Sequence, residues 1–494
     1  MRHSLLVVFA LIGIACAGET PATVAAAGGD DLQTQSPTTT VQSFTAVEGA
    51  GLMARLDAAQ ARARARQSPY WSAYTFDVRP GVAVDPAIRD FNGSINTMGD
   101  TTVFVGTNAS GVTVETRNLA VFLLRDPASN QITRMEVYNL ERKREYSGYP
   151  VYWLGRANNE ESINYLRAIA AATPLDMLSE RAVLGIALHD DVRVAGMLKN
   201  FISTSPNQRI RSSSIYWLGQ VGGEQTFLAT LVRNETEDMK MRRAAAHAIG
   251  QSRERGAIVT LQDLYRDVKD IEVRRGVISA AGNSIDEQPA FTFLLGVAKQ
   301  DTDWESRRVA VRQLGRFHRE DAVEELMKIY TNDANIEVKR AALRSLAETK
   351  TPRAQARLLD AARTETNPEL RKTAIRTLGE RGEAAVDDLL KLFDSENAPE
   401  VKRAVLQSLS EIAGKRSFDF LSATAQSTDG NVEVQVQAVR AIGQRRAEES
   451  VPVLIKIAKT HPNQMVRKQA IRSLGETGDP RAVEFFREVL TKPQ

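Results

Sequence analysis

A repeat with a period of about 32 residues runs through more than half of this chain and constrains its fold more than any other feature. Each copy contains Val followed by Arg or Lys, a small residue, an aliphatic residue and then Leu-Gly, with variation between copies. The last residue of the pattern recurs at intervals of 31, 32, 33, 32, 32, 31, 33 and 32 residues. Such regular spacing indicates an array of structural repeats. The nine last residues, called anchors below, are Gly219, Gly250, Gly282, Gly315, Ala347, Gly379, Ser410, Gly443 and Gly475.

A helix is predicted to begin twelve residues before each anchor. Eight of these nine positions hold Asn or Asp, whose side-chain oxygen accepts a hydrogen bond from a first-turn amide at a helix N-cap. Apolar residues five, four and one before the anchor form a stripe that a helix would bury, as in Ala374, Ile375 and Leu378. The nine positions are Asn207, Asp238, Asp270, Asp303, Asn335, Asn367, Ala398, Asn431 and Asn463.

A second apolar-periodic segment precedes each capped helix, for example Ala322 to Tyr330 and Val451 to Ala458. Each copy is therefore predicted to be a helical hairpin, which cannot bury its apolar face alone and must stack on its neighbours. The sequence predicts a mainly α fold, an α-solenoid of about ten to eleven hairpins, over residues 147–494. The motif Tyr152-Trp153-Leu154-Gly155 repeats the letters before Gly219 and is interpreted as part of two degenerate upstream copies.

The first 17 residues are typical of an export signal. Arg2 and His3 form a basic start, Leu5 to Ala15 is apolar, and Cys16 lies in a small-residue cleavage site. We expect an exported protein of the periplasm or cell envelope. Two forms remain open, a soluble chain beginning near Gly18 and a chain lipidated at Cys16, and no transmembrane segment is expected after the signal.

Three more segments separate this signal from the repeats. Residues 18–50 are polar and are predicted to be a disordered linker. Residues 51–67 are rich in helix formers, and residues 68–146 alternate with a period of two, which favours a small antiparallel β-domain. The predicted strands are Thr102 to Thr107, Gly111 to Arg125 and Ile132 to Leu140.

Aromatic residues gather at the start of the predicted β-domain. They form either its core or an exposed recognition patch, and the core is the interpretation favoured for so small a domain. These residues are Tyr70, Trp71, Tyr74 and Phe76.

The repeat resembles the short HEAT-like repeat, the variety also found in phycobilin lyases. The resemblance implies a right-handed solenoid whose second helices line its inner face. It also implies a ladder between hairpins, built from an Asn or Asp and from a basic residue eight before each anchor. That position holds Arg211, Arg242, Arg274, Arg307, Lys339, Arg371, Lys402 and Arg467, and Gln435 departs from the pattern.

Catalytic signatures are absent from the sequence. The family that this repeat resembles includes the deoxyhypusine hydroxylases, which carry His-Glu pairs that hold iron. No His-Glu pair occurs in this chain. Neither a Gly-x-Ser-x-Gly elbow nor a phosphate-binding loop is present, and Cys16 is the single cysteine. We expect no enzyme, no cofactor and no metal, and keep as an alternative an enzyme whose site lies at the junction of the β-domain and the solenoid.

Two basic columns mark the exposed face of the predicted second helices. Seven of nine residues at the position seven before the anchor are basic, and most have a Glu three residues earlier, as in Glu272 and Arg275. The position three before the anchor has no comparable acidic column beside it. Its arginines are either a solvated face or a stripe that binds an anionic partner. They are Arg312, Arg344, Arg376, Arg440 and Arg472.

Together these features predict a non-catalytic scaffold of the cell envelope that binds a protein partner through the inner face of its solenoid. The alternative is a binder of an anionic envelope polymer through the arginine stripe. Nucleic acid is not expected, because the formal net charge is only +3 and the chain is predicted to be exported.

Overall fold

A computed structural model describes residues 44–86, 91–98, 101–108, 110–172, 176–428 and 430–491. Its N-terminal part contains two sheets, one of five strands in the order β1-β8-β2-β6-β7 and one of three in the order β3-β5-β4. The strands are β1 (Thr45–Ala46), β2 (Tyr70–Thr75), β3 (Val82–Val84), β4 (Phe91–Met98), β5 (Thr101–Asn108), β6 (Leu119–Arg125), β7 (Ile132–Asn139) and β8 (Val151–Arg156).

Within the predicted bounds 68–146 the described strands pair antiparallel, as predicted, but the larger sheet is mixed because β1 and β8, which lie outside those bounds, join it in parallel. β2, β6 and β7 pair antiparallel, but β8 lies parallel to both β1 and β2. The chain leaves β7 at one edge of the sheet and crosses to the far side of β2, where β8 enters in the same direction as β2. Of the predicted strand from Gly111 to Arg125, only Leu119–Arg125 is a strand in the sheet.

The end of the predicted linker is part of this fold. Thr45–Ala46 forms β1, and the Phe44 ring stacks on Trp153 with centroids 5.7 Å apart. These residues are ordered by the sheet because Phe44 and Val47 are apolar in an otherwise polar stretch, and Val47 is buried. The helix predicted over residues 51–67 is present as α1 (Gly51–Arg64).

The aromatic residues at the start of the domain are core residues, and none forms an exposed patch. Tyr70, Trp71, Tyr74 and Phe76 are all at most 4% exposed. They lie on the two faces of β2, or just after it, and therefore contribute to packing on both sides of the sheet.

The upstream repeat copy at Tyr152 to Gly155 is a wrong prediction. These residues lie in β8, where Tyr152 and Trp153 pair with both β1 and β2. A strand forms because aromatic and β-branched residues suit a sheet, and because Lys143, twelve residues before Gly155, supplies no N-cap. The helical array consequently begins at Asn159 and not at residue 147.

From Asn159 onward the described chain is helical and forms ten hairpins followed by α22 (Pro480–Thr491), which confirms the predicted solenoid. The first helices are α2 (Asn159–Ala172), α4 (Arg193–Thr204), α6 (Gln225–Arg233), α8 (Ala257–Asp267), α10 (Glu287–Gln300), α12 (Glu320–Asn332), α14 (Pro352–Thr364), α16 (Val386–Ser395), α18 (Lys415–Gln426) and α20 (Ala447–Thr460). The second helices are α3 (Asp176–Ala187), α5 (Gln208–Val221), α7 (Met239–Gln251), α9 (Ile271–Ala281), α11 (Trp304–Leu314), α13 (Ile336–Glu348), α15 (Pro368–Gly379), α17 (Pro399–Glu411), α19 (Val432–Gly443) and α21 (Gln464–Thr477).

The predicted N-caps are confirmed. In each second helix from α5 to α21 the helix starts directly after the expected residue, and each Asn or Asp accepts a hydrogen bond from an amide of its own first turn. Asn367, for example, accepts from the amides of Glu369 and Leu370. Ala398 occupies the same place before α17 without a side-chain bond.

The anchor glycines allow successive second helices to approach closely. A Cβ atom on Gly219 would lie 2.7 Å from the carbonyl oxygen of Ala248, and one on Gly443 would lie 2.9 Å from the Cβ of Ser473. Both neighbours are small residues two before the next anchor. Second helices therefore pack on one another far more extensively than first helices do, which agrees with the inner face that the resemblance implies for them.

The ladder between hairpins is present, but its acidic members differ from the expectation. Arg371 donates from Nε to the carbonyl oxygen of Ala362, at the end of its own first helix, and from a second nitrogen to Glu396 of the next hairpin at 2.5 Å. Arg307 makes the equivalent bond to Asp333 at 2.8 Å. The N-cap residues are already bonded to their own helices, and in these two hairpins the carboxylate two residues before the next cap completes the ladder.

Candidate functional site

The five arginines predicted for the second column are all exposed on second helices. The structure divides them among different surroundings. Three line one groove of about 680 Å³ across α13, α15, α17 and α19, one lines a second groove of about 450 Å³ nearer the N-terminus, and the fifth lies in neither. Arg344, Arg376 and Arg440 line the first groove, Arg312 lines the second, and Arg472 lines neither.

The larger groove is called the C-terminal groove below. Six basic side chains and two carboxylates line it, so positive charge is in excess. Partial burial lowers the pKa of Arg344, and repulsion from Arg376 and Arg340 lowers it further. The basic residues are Arg340, Arg344, Lys372, Arg376, Arg403 and Arg440, and the carboxylates are those of Glu369 and Glu400.

The smaller groove, called the N-terminal groove, is closer to neutral. Five arginines and three glutamates line it. Arg275 bonds to Glu272 of its own helix at 2.5 Å and to Asp303, the N-cap of α11, at 2.9 Å, and it also pairs with Glu305. Two stretches of the same inner face therefore present different charge to a partner.

The expectation that the second column lacks acidic neighbours is wrong. Arg376 lies 3.8 Å from Glu380, and Arg472 lies 3.9 Å from Glu476. Both carboxylates follow their arginine by four residues, one helical turn away. These pairs are at least 47% exposed on each side, so solvent screens them and leaves much of the positive charge available.

The first column also pairs differently in part. Glu337 bonds to Arg340 at 2.6 Å and Glu369 to Lys372 at 3.0 Å, three residues apart as predicted. The predicted partner of Glu305 is Arg308, but Arg308 lies over the Trp304 ring instead. Arg403 pairs with Glu433 of α19 rather than with Glu400. Contacts between helices thus compete with contacts along one helix.

Amide side chains in the C-terminal groove were not predicted as site residues. Gln407 occupies the position three before its anchor, where the neighbouring helices carry Arg376 and Arg440. The amide of Gln437 donates to the Gln407 side-chain oxygen at 3.1 Å. Gln407 is uncharged and so falls outside the basic column, although the repeat register places it in the same row.

The junction of the sheet domain and the solenoid contains a serine-histidine pair. Ser162 Oγ lies 2.8 Å from His189 Nε2, and His189 Nδ1 bonds to the carbonyl oxygen of Gly185. Both side chains are at most 2% exposed, and burial lowers the pKa of His189 to about 4. Because both side chains are buried and a backbone carbonyl holds the imidazole, the pair fits a structural role.

The remaining predictions concern a metal site, Cys16 and membrane-spanning segments. No cluster of His, Cys, Asp and Glu suited to a metal ion occurs among the described residues. Cys16, together with the predicted signal and most of the linker, lies outside the described residues. In the part of the chain that the structure describes, no helix has the length and apolar character needed to cross a bilayer.

Solved structures with a similar arrangement of helices come from different functional classes. Human deoxyhypusine hydroxylase in complex with glycerol is 18% identical, with a TM-score of 0.24, over 51% of this chain and 96% of that one. Kap121p bound to the SUMO protease Ulp1p is 11% identical, with a TM-score of 0.37, over 67% of this chain and 43% of that one. This chain thus spans less than half of the Kap121p length, and likenesses at these scores carry no argument about function.

The family comparison is more direct. No curated protein matches the chain in sequence. A family model described as HEAT repeats matches residues 197–282, 227–305, 291–368, 356–432 and 423–494, which together span more than half of the chain. The period, the capped second helices and the stacked hairpins agree with this match, and the chain belongs to the HEAT-repeat family.

Proposed function

We propose that this protein is a non-catalytic scaffold of the cell envelope that holds a protein partner against the inner face of its solenoid. HEAT solenoids generally bind protein partners, and this one presents a continuous inner layer of second helices. The observation that carries the proposal is the C-terminal groove, a concave polar groove of about 680 Å³ that is lined by arginines and by half-buried amides. The excess of positive charge there favours a partner with an acidic surface.

Site-specific photo-crosslinking tests this proposal. A photoreactive amino acid replaces Gln407 on the inner face in one protein and Lys391, exposed on α16, in another. We expect a protein adduct from position 407 that disappears when Arg344 and Arg376 are both changed to Gln. Equal adducts from both positions, or adducts that survive the arginine changes, would contradict binding in the groove.

Binding of an anionic envelope polymer is the second candidate, and the charge imbalance of the C-terminal groove favours it too. The two candidates differ in their response to salt. A polymer held by arginines alone should lose affinity steeply as ionic strength rises, whereas a packed protein interface should weaken mildly. Titration of the isolated partner or polymer at two salt concentrations distinguishes them.

Export remains part of the proposal and concerns residues outside the described part. Intact-mass measurement of the natively expressed protein should give a chain beginning near Gly18 or a chain with lipid on Cys16. A mass that includes Met1 would reject both forms and would move the search for a partner to another compartment.

A further inference from the structure

The C-terminal groove has a regular row of polar side chains along its floor. The residue three before the anchor is Arg344 in α13, Arg376 in α15, Gln407 in α17 and Arg440 in α19, and all four line the groove. Each lies at the same position of its repeat, so neighbours in the row are one hairpin apart. Packed helices are about 8–10 Å apart, which sets the spacing of the row.

Charge along this row is poorly compensated. Glu369 is bonded to Lys372 at 3.0 Å, and the pair of Arg376 with Glu380 is half exposed and 3.8 Å long. The influence of Arg376 and Arg340 on Arg344 exceeds that of Glu380 and Glu337, so Arg344 experiences net repulsion. A ligand that brings negative charge to the row relieves this repulsion.

The spacing selects the conformation of a polypeptide ligand. A polyproline II helix has three residues per turn and rises about 3.1 Å per residue, so every third side chain lies on one face at intervals of about 9.3 Å. A β-strand does not fit in the same way, because its side chains alternate and residues three apart point to opposite faces. Of these two extended conformations, the polyproline II helix is the one that matches one side chain to each hairpin.

We infer that the C-terminal groove binds an acidic polypeptide segment in the polyproline II conformation, with carboxylates at every third residue. Carboxylates of the segment accept hydrogen bonds from Arg344, Arg376 and Arg440, and the Gln407 amide nitrogen donates to a carboxylate or another polar oxygen between them. Such charge-assisted bonds to guanidinium groups are geometrically specific. The inference rests on the proposed scaffold function and names the partner that its inner face recognises.

The N-terminal groove provides a matched control on the same molecule. The row position in α7 is His247 and in α9 is Ser279, so Arg312 of α11 is the first arginine of the row from this end. Arg275 is already neutralised by Glu272, Asp303 and Glu305. An acidic segment therefore gains less from this groove.

Fluorescence anisotropy with two labelled synthetic peptides tests the inference. Both are about twelve residues long, rich in Pro and identical in composition. One carries Glu at every third position and the other carries the same Glu residues in one block. We expect the regularly spaced peptide to bind the full chain at least about tenfold more tightly, because only its carboxylates meet the row in register.

Two triple variants locate the binding. Changing Arg344, Arg376 and Arg440 to Gln should abolish the preference for the spaced peptide. Removing the same number of positive charges from the N-terminal groove, at positions outside the row, should leave it within about twofold. Unfolding midpoints of both variants are measured in parallel to show that each is folded. The control changes are Arg243→Gln, Arg308→Gln and Arg316→Gln.

Three results would overturn the inference. Equal affinity for the two peptides would mean general attraction to positive charge. Equal losses from the two triple variants would place recognition elsewhere. Tighter binding of dextran sulfate than of either peptide, with the same loss in both variants, would favour a polymer. In each case the crosslinking experiment at position 407 still decides independently whether a protein binds the inner face.

Discussion

The sheet domain and the solenoid both bury apolar residues, but the first does so by contacts between distant segments and the second by contacts between neighbouring repeats. In the sheet domain, β2 (Tyr70–Thr75) pairs with β6 and with β8, strands about 50 and 80 residues away in sequence. In the solenoid, each second helix packs on the next one, about 32 residues on, and the same contacts recur in every repeat. The first region depends on distant segments meeting, and the second depends on neighbours.

Buried polar groups show the same difference. In the sheet domain the buried polar groups have individual partners that do not recur. Glu136, for example, is 1% exposed and pairs with Arg181 of α3. In the solenoid the same arrangement, an N-cap and a basic ladder residue, recurs in nearly every copy of the repeat. The difference predicts that damage to the sheet domain spreads through the whole domain, whereas damage to a repeat stays near that repeat.

The largest expected effect is in the sheet core. Phe122 is fully buried, and its ring contacts Phe44, Trp71, Tyr138 and Tyr146. Phe122→Ala should cost about 3–5 kcal/mol, because several rings lose a partner and cannot all close the cavity. Hydrogen exchange should then increase across β2, β6, β7 and β8 together. Faster exchange confined to β6 would break the comparison.

A matched change in the solenoid should have a smaller and more local effect. Leu378 is fully buried in the stripe of α15. Leu378→Ala should cost about 2–4 kcal/mol, with faster exchange limited to α13, α15, α17 and the helices packed on them. Exchange that rises equally in the sheet domain would show that the two regions unfold as one unit.

Acid should weaken the junction between the two regions. His189 is buried as the neutral form with a pKa of about 4, below the value near 6.5 of the unfolded chain. The folded state therefore binds fewer protons, and stability that is present above pH 6.5 is lost as the pH falls towards 4. The loss should reach about 3 kcal/mol at the acid end.

The contribution of His189 has to be isolated with a variant, because burial also lowers the pKa of His247, which titrates in the same direction. Arg193 lowers the pKa of Asp191 to about 2, so Asp191 stays ionised throughout. Denaturant unfolding between pH 7 and pH 4 measures the slope. The variant His189→Gln should be less stable at neutral pH but should show a flatter slope, and an unchanged slope would place the acid-sensitive group elsewhere.

The smallest expected effect concerns α17, which is the one helix among the second helices from α5 to α21 without a side-chain N-cap. Asn367→Ala should destabilise the solenoid by about 1 kcal/mol, because two first-turn amides lose their acceptor. Ala398→Asn should stabilise it by a similar amount, since Ala398 has the same extended backbone without a capping side chain. Denaturation midpoints of the two variants should move in opposite directions, and a shift in the same direction would mean that capping does not limit stability there.

Much of the solenoid was predictable because its determinants lie within one repeat. The N-cap residues, the buried stripe and the hairpin length all depend on residues close together in sequence, and each is repeated often enough to stand out from chance. The exposure of the second column, including Arg344 and Arg376, follows from helical geometry in the same way.

The candidate site was predictable only by position. Helical spacing placed Arg403 beside Glu400, but the closer carboxylate belongs to Glu433 on the next helix. It also missed Glu380, and it gave no reason for Gln407 to belong with the arginines. Which side chains share a groove depends on how the second helices stack, and that information is not contained in any single repeat.

One motif that occurs twice in the chain separates what the sequence determined from what the tertiary structure decided. Tyr152-Trp153-Leu154-Gly155 forms a strand, whereas Tyr216-Trp217-Leu218-Gly219 ends a helix. By itself the sequence determined that the chain contains a repeated, capped helical hairpin, because short-range hydrogen bonds and periodic burial are sufficient to specify one. Only the tertiary structure decided that the earlier copy of the motif forms a strand. There the partners are β1 and β2, distant segments whose backbone hydrogen bonds make the extended form more stable than the helix.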